Sequence, residues 1–134
     1  MNKTTVKAEL SIYGDNLDPN ELTDLLGIKP MEINLKGVIT GTRKRPNAET
    51  SWSIYTKKEE SYDVNEQIDK IILILKDKTK EINEFKRKNT VSISLPLLIE
   101  VENDEEPAIY WTPETNGFLG GIGAESSVEI YMYS

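Results

Sequence analysis

Four carboxylates stand close together late in the sequence, and closely spaced carboxylates bind cations or attract basic proteins. They are Glu102, Asp104, Glu105 and Glu106. The segment lacks the glycine and the ligand periodicity of an EF-hand loop, so we predict no calcium or other metal site there. A solvated acidic turn is the simpler interpretation, and a docking surface for a basic protein is the functional one.

A run of three basic residues contrasts with the overall charge of the chain, which is −7. The run consists of Arg43, Lys44 and Arg45. It is either a solvated loop between two strands or a docking point for an anion or a partner's acidic patch. No aromatic residue interleaves these charges, and a net negative charge disfavours contact with phosphates. We therefore predict no nucleic-acid partner.

A third candidate site combines one carboxylate with two indoles, as a small-ligand pocket would. Its members are Asp15, Trp52 and Trp111. In the alternative interpretation, Asp15 bonds the backbone of its own turn and Trp52 belongs to the core. A glycine-rich run over 117–124 has no lysine after it and precedes a predicted strand, so it does not predict a phosphate loop.

Two absent residue types restrict the chemistry of this 134-residue chain. It has no cysteine and no histidine, which excludes thiolate catalysis, Ser-His-Asp mechanisms and zinc–sulfur sites. We expect a non-catalytic protein without a cofactor. The lack of cysteine fits a reducing compartment, and no apolar run is long enough to cross a membrane, so the expected location is the cytoplasm, without membrane contact.

The elements that would position these groups follow from periodicity. Apolar residues alternate in a strand over 5–13, with Val6, Leu10 and Ile12 on one face. Asp18 and Pro19 begin a short capped helix that Gly27 ends. A longer helix is predicted over 63–87, and the last strand over 128–132. We predict a single domain over 1–134 of the α+β class: a mainly antiparallel sheet with two helices on one face, in ferredoxin-like β-α-β-β-α-β order plus a C-terminal extension. Residues 117–124 within that extension are either a loop or a short helix.

Several short motifs add a family resemblance. They are Gly14-Asp15, Leu17-Asp18-Pro19, Leu25-Leu26-Gly27-Ile28, Lys36-Gly37 and Ser51-Trp52-Ser53-Ile54. In this order they resemble the DUF4279 family of bacterial domains, whose function is unknown. The match is best over 8–57, looser over 63–87 and partial in the last third. The resemblance implies a fold and a bacterial origin, and it brings no catalytic residues to carry over.

Two functions stay open at this point. The first is a protein-interaction module for a basic partner, for example an immunity-type or antitoxin-like protein. The alternative is a small-ligand-binding regulatory domain with a pocket near Trp52. The sequence does not indicate the oligomeric state.

Overall fold

A six-stranded sheet lies against a layer of helices in the computed structural model, which describes residues 2–133. The strands are β1 Thr5–Gly14, β2 Glu32–Asn34, β3 Thr50–Tyr55, β4 Glu59–Glu60, β5 Ser92–Glu102 and β6 Ala124–Tyr133. The helices are α1 Pro19–Leu26, α2 Asn65–Leu75, α3 Thr79–Lys88 and α4 Pro113–Ile122, with a 3-10 turn, Lys76–Lys78, between α2 and α3.

The first strand of the chain occupies the centre of the sheet. The strand order is β2-β3-β1-β5-β6, and β4 pairs with the start of β1 on the same side as β3. The pairs β1–β3, β1–β4, β1–β5 and β2–β3 are antiparallel, whereas β5–β6 is parallel. The predicted buried face of β1 is confirmed, because Val6 and Leu10 are 0% exposed and Ile12 is 1% exposed.

The α+β class is confirmed, but two finer parts of the fold prediction need correction. The sheet is mixed, because β5–β6 is parallel while the other pairs are antiparallel, and residues 2–133 form four α-helices instead of two. The predicted helix over 63–87 is interrupted at Lys76–Lys78, where three polar residues replace the apolar stripe. β4 and the split of the second predicted helix add elements to the predicted β-α-β-β-α-β order, and α4 and β6 lie in the predicted C-terminal extension.

The glycine-rich run belongs to a helix rather than a loop for most of its length. Thr112 caps α4, since its side-chain oxygen accepts from the Thr115 N–H at 3.2 Å, and Pro113 follows at the first helical position. Gly123 ends the helix with φ 64°, a left-handed conformation that favours glycine. α4 lies in the connection that returns the chain to lay β6 parallel to β5, as parallel pairing requires a crossover.

The short helix α1 has the predicted caps. The Asp18 carboxylate accepts from the Asn20 N–H at 3.0 Å and from the Glu21 N–H at 3.4 Å. Gly27 has φ 67°, and its N–H donates to the Thr23 carbonyl. Leu22 is 0% exposed and packs into the core on the helix side of the sheet. Local sequence thus determines where this helix begins and ends.

Candidate functional site

The four clustered carboxylates occupy a turn whose backbone is held in place. We call residues 102–106, which begin with the last residue of β5, the acidic turn. Asn103 and Asp104 have positive φ values of 55° and 58°, a conformation that Asn and Asp tolerate better than most residues. The Thr4 hydroxyl donates to the Glu105 carbonyl at 2.6 Å and accepts from the Glu102 N–H at 3.1 Å. The turn therefore presents three exposed carboxylates and the half-buried Glu102 from a fixed backbone.

An exposed apolar strand end lies beside the acidic turn. In the β5–β6 register, Glu100 is paired with Tyr131 and Glu102 with Tyr133. The four residues from Ile130 to Tyr133, which we call the β6 end, are 46%, 45%, 55% and 44% exposed. Ile130 and Met132 are on the helix side of the sheet, so the helices do not cover this end of β6. We call the acidic turn and the β6 end together the acidic end surface.

Two tyrosines near this surface have raised pKa values. Burial raises the pKa of Tyr62, and the Glu105 carboxylate nearby raises it further. The Tyr131 hydroxyl donates to the Glu129 carboxylate, and this bond raises the pKa of Tyr131 because it favours the protonated phenol. Both phenols therefore stay protonated at physiological pH, and they lose their protons at a higher pH than an ordinary tyrosine does.

The basic run lies at the other end of the sheet. Arg43, Lys44 and Arg45 belong to the connection between β2 and β3, next to the end of β1 at which Gly14 pairs with Thr50. The acidic turn adjoins the opposite end of β1, where Thr5 pairs with Glu100. The structure thus separates the two predicted groups of charged residues, and they do not form one surface.

A buried asparagine organises the basic connection. The Asn47 side chain donates to the Leu35 carbonyl at 3.0 Å and to the Thr40 hydroxyl at 2.9 Å. Its oxygen accepts from the Arg43 guanidinium at 3.0 Å. Lys44 and Arg45 are exposed. Arg43 is therefore held by the loop itself, and two of the three basic side chains are free of this network.

The three residues predicted to share a ligand pocket lie in different places. Trp52 is 0% exposed, and its indole N–H donates to the Thr23 hydroxyl at 3.0 Å. Asp15 is exposed and lies 3.4 Å from the Lys36 ammonium. The Trp111 indole N–H donates to the Ser126 hydroxyl at 3.0 Å, beside β6. Because Trp52 has no exposed surface, a ligand on the protein surface does not touch it.

Asp15 and Trp111 line separate clefts. The cleft at Asp15 has a volume of about 340 Å³ and is polar, with Glu49 and Thr90 in its wall. The cleft at Trp111 has a volume of about 380 Å³ and lies between α4 and β6, with Leu119 in its wall. Among residues 2–133, no three acidic side chains converge to hold a metal ion. Within the same part of the chain, no helix is long and apolar enough to cross a membrane.

A half-buried carboxyl on the helix-free face of the sheet was not singled out from the sequence. Burial raises the pKa of Glu9, and the Lys7 ammonium nearby offsets part of this effect. Both line a cleft of about 200 Å³ with Leu98 and Glu129. The Lys7 ammonium lies 4.3 Å from the centroid of the Tyr55 ring, a cation–π distance. The alternation of β1 places Glu9 on this face, but its burial depends on side chains from neighbouring strands.

These features define an α+β domain with helices on one sheet face and an acidic, partly apolar surface at one end of the sheet. A family model described as "Domain of unknown function (DUF4279)" matches residues 3–133. The chain belongs to the DUF4279 family. No curated protein matches the chain, and no solved structure matches it.

Proposed function

We propose that this chain is a non-catalytic protein-interaction module that binds a basic protein partner through the acidic end surface. The observation that carries the proposal is the position of the exposed β6 end directly beside the acidic turn. Carboxylates alone support only weak, screened attraction. Exposed apolar and aromatic side chains beside them supply area that a partner can bury.

The composition of the acidic end surface matches the anatomy of protein interfaces. Tyrosine and methionine are enriched in interface cores, and charged residues are more frequent at the rim. Tyr131 and Tyr133 share the helix-free face of β6 and would form the core on that face, Met132 would add apolar area on the other face, and the carboxylates of the acidic turn would form part of the rim. Rim charges steer a partner of opposite sign and raise the association rate. A partner with an apolar patch surrounded by basic residues would match both the core and the rim of this surface.

An immunity-type or antitoxin-like protein is one version of this function, since such a protein would cover a basic surface of its target. The alternative, a small-ligand-binding domain with a pocket near Trp52, has weaker support because that indole is fully buried and bonded to Thr23. The cytoplasmic location and the bacterial origin stay predictions.

The test measures association with a partner at two salt concentrations. The chain is used to capture partners from a lysate of its source organism, and a captured basic protein is then produced alone for surface plasmon resonance. The test variant neutralises the acidic turn with Glu102→Gln, Asp104→Asn, Glu105→Gln and Glu106→Gln. The control removes four negative charges elsewhere with Asp24→Asn, Asp69→Asn, Asp77→Asn and Glu114→Gln, all at exposed positions.

We expect the test variant to associate about 10-fold more slowly at low salt, with a smaller change in dissociation, because steering charges act before contact. The control variant changes net charge equally and should lose about two-fold or less. The difference between the two variants should shrink as salt rises, since charges are screened over about 8 Å at physiological ionic strength. Salt-independent association, or equal effects of the two variants, would show that the acidic turn is not the docking surface.

A further inference from the structure

The outer edge of β6 is the longest open backbone edge in the sheet. β5 pairs with the inner edge of β6 over all ten of its residues, and within residues 2–133 no strand pairs with its outer edge. Outward N–H and C=O groups on an edge strand are a template for another strand. The opposite edge of the sheet is β2, which has only three residues. β6 is therefore the edge that can accept a further strand.

The side chains of β6 differ between its two faces. Val128, Ile130 and Met132 face the helix side, in register with buried residues of β5. Glu125 and Glu129 are exposed on the other face. A strand that pairs with β6 would thus meet mainly apolar side chains on one face and, on the other, the two carboxylates together with Ser127 and the two tyrosines. A strand complementary to β6 would therefore alternate apolar and polar residues. Two of its polar residues, four positions apart like Glu125 and Glu129, would be basic.

We propose that the basic partner contributes an extended segment that pairs antiparallel with β6 as a seventh strand, with its basic side chains opposite Glu125 and Glu129. The inference rests on the proposed function and adds its binding mode, β-strand addition. Antiparallel pairing is chosen because it is slightly more stable per residue than parallel pairing. A second copy of this chain fits less well, since it brings the same two glutamates and a net charge of −7.

The probe is a synthetic peptide, acetyl-Val-Thr-Val-Lys-Val-Thr-Val-Lys-amide. In antiparallel pairing its first residue lies opposite Met132 and its last opposite Glu125, which places the two lysines opposite the two glutamates. The isotope-labelled full chain is titrated with this peptide, and amide shifts are followed by NMR. We expect shift changes in β6, with weaker ones in β5, because β5 pairs with β6 along its whole length.

Two N-methylated forms of the peptide test for backbone pairing. One carries methyl groups at all odd positions and the other at all even positions. In a paired strand, the N–H groups of only one of these sets point at β6. One form should therefore bind at least about 10-fold more weakly than the parent because it loses several hydrogen bonds. The other form should stay within about three-fold of the parent, since its methyl groups point away.

The double variant Glu125→Gln, Glu129→Gln tests the charge pairing. We expect it to bind the peptide about 3- to 10-fold more weakly at low salt, as cross-strand pairs of opposite charge are lost. Asp24→Asn with Asp69→Asn is the control for net charge and should bind like the unchanged protein. A weak effect of both variants together with a clear difference between the methylated forms would overturn the choice of a basic segment.

Other results would overturn strand addition itself. These are equal binding of the two methylated peptides, shift changes away from β6, or a concentration-dependent dimer in sedimentation with β6 amides protected from exchange before peptide is added. The last result would assign the edge to a second copy. The two proposals fail separately: a captured partner that depends on the acidic turn, without peptide binding at β6, would leave the proposed function intact.

Discussion

Replacing Asp18 with alanine should lower the free energy of unfolding by about 1 kcal/mol, the usual effect of losing an N-cap acceptor. In this protein the carboxylate accepts from the Asn20 N–H at 3.0 Å and, at the limit of a hydrogen bond, from the Glu21 N–H at 3.4 Å. One good bond and one weak bond favour the middle of the measured range rather than its upper end. With a urea m-value of about 2 kcal/mol/M, the unfolding midpoint should fall by about 0.5 M.

Two matched variants isolate the cap in urea unfolding. Asp18→Asn removes the charge but keeps a side-chain oxygen acceptor, so its midpoint should stay within about 0.2 M of the unchanged protein. Asp24→Ala removes an exposed carboxylate from the same helix without touching the cap. Association with the captured partner should be unchanged in all three variants. Equal losses in Asp18→Ala and Asp18→Asn would refute the reasoning, because the charge and not the acceptor would then matter.

Two further predictions concern a glycine and a carboxyl. Gly14→Ala should destabilise the protein by about 1–3 kcal/mol in thermal unfolding, because an added Cβ would lie 2.6 Å from the Thr90 carbonyl oxygen. Gly117→Ala, whose added Cβ would lie in open space within α4, should instead stabilise the protein by up to about 1 kcal/mol. Equal effects of the two substitutions would show that the backbone at Thr90 moves aside without a cost in stability. Backbone and side-chain bonds from Asn65 lower the pKa of Asp63, so its contribution to stability is present above pH 3.8 and is lost as pH falls through the lower folded value. An NMR titration should give a midpoint below 3.8 that rises in Asn65→Ala.

The parts of the fold that depend on local chemistry could be predicted from the sequence. Asp18 and Gly27 bound α1 as expected, and strict alternation identified the buried face of β1. The features that the sequence leaves open or does not indicate depend on long-range packing. Two of the four residues 118–121 in helix α4 are glycines, which disfavour a helix. The caps at Thr112 and Gly123 and the burial of one side of the helix explain why this segment is helical. The parallel pairing of β5 and β6 is set by that crossover and leaves no local signal.

The candidate site was predictable in its charges but not in its arrangement. The sequence identifies the acidic turn and the basic run, yet only strand register places them at opposite ends of the sheet. Alternation over 128–132 predicted the last strand, but it reports side-chain spacing and not what covers each face. Ile130 and Met132 have core-like spacing but lie beyond the reach of the helices. For Trp52 the sequence leaves both a pocket and the core open, and only the surrounding side chains place it in the core.

The central place of β1 has a consequence for how the chain folds. β1 comes first among the elements, but its partner β5 is nearly the last, and the Thr4–Glu102 bond joins residues 98 apart in sequence. Bringing such distant segments together loses loop-closure entropy before contacts compensate for it, which slows folding. Until β5 pairs, the backbone groups along one edge of β1, between Thr5 and Tyr13, have no strand partner. The topology that places β1 at the centre of the native sheet thus makes one of its two edges depend on a strand from the last third of the chain.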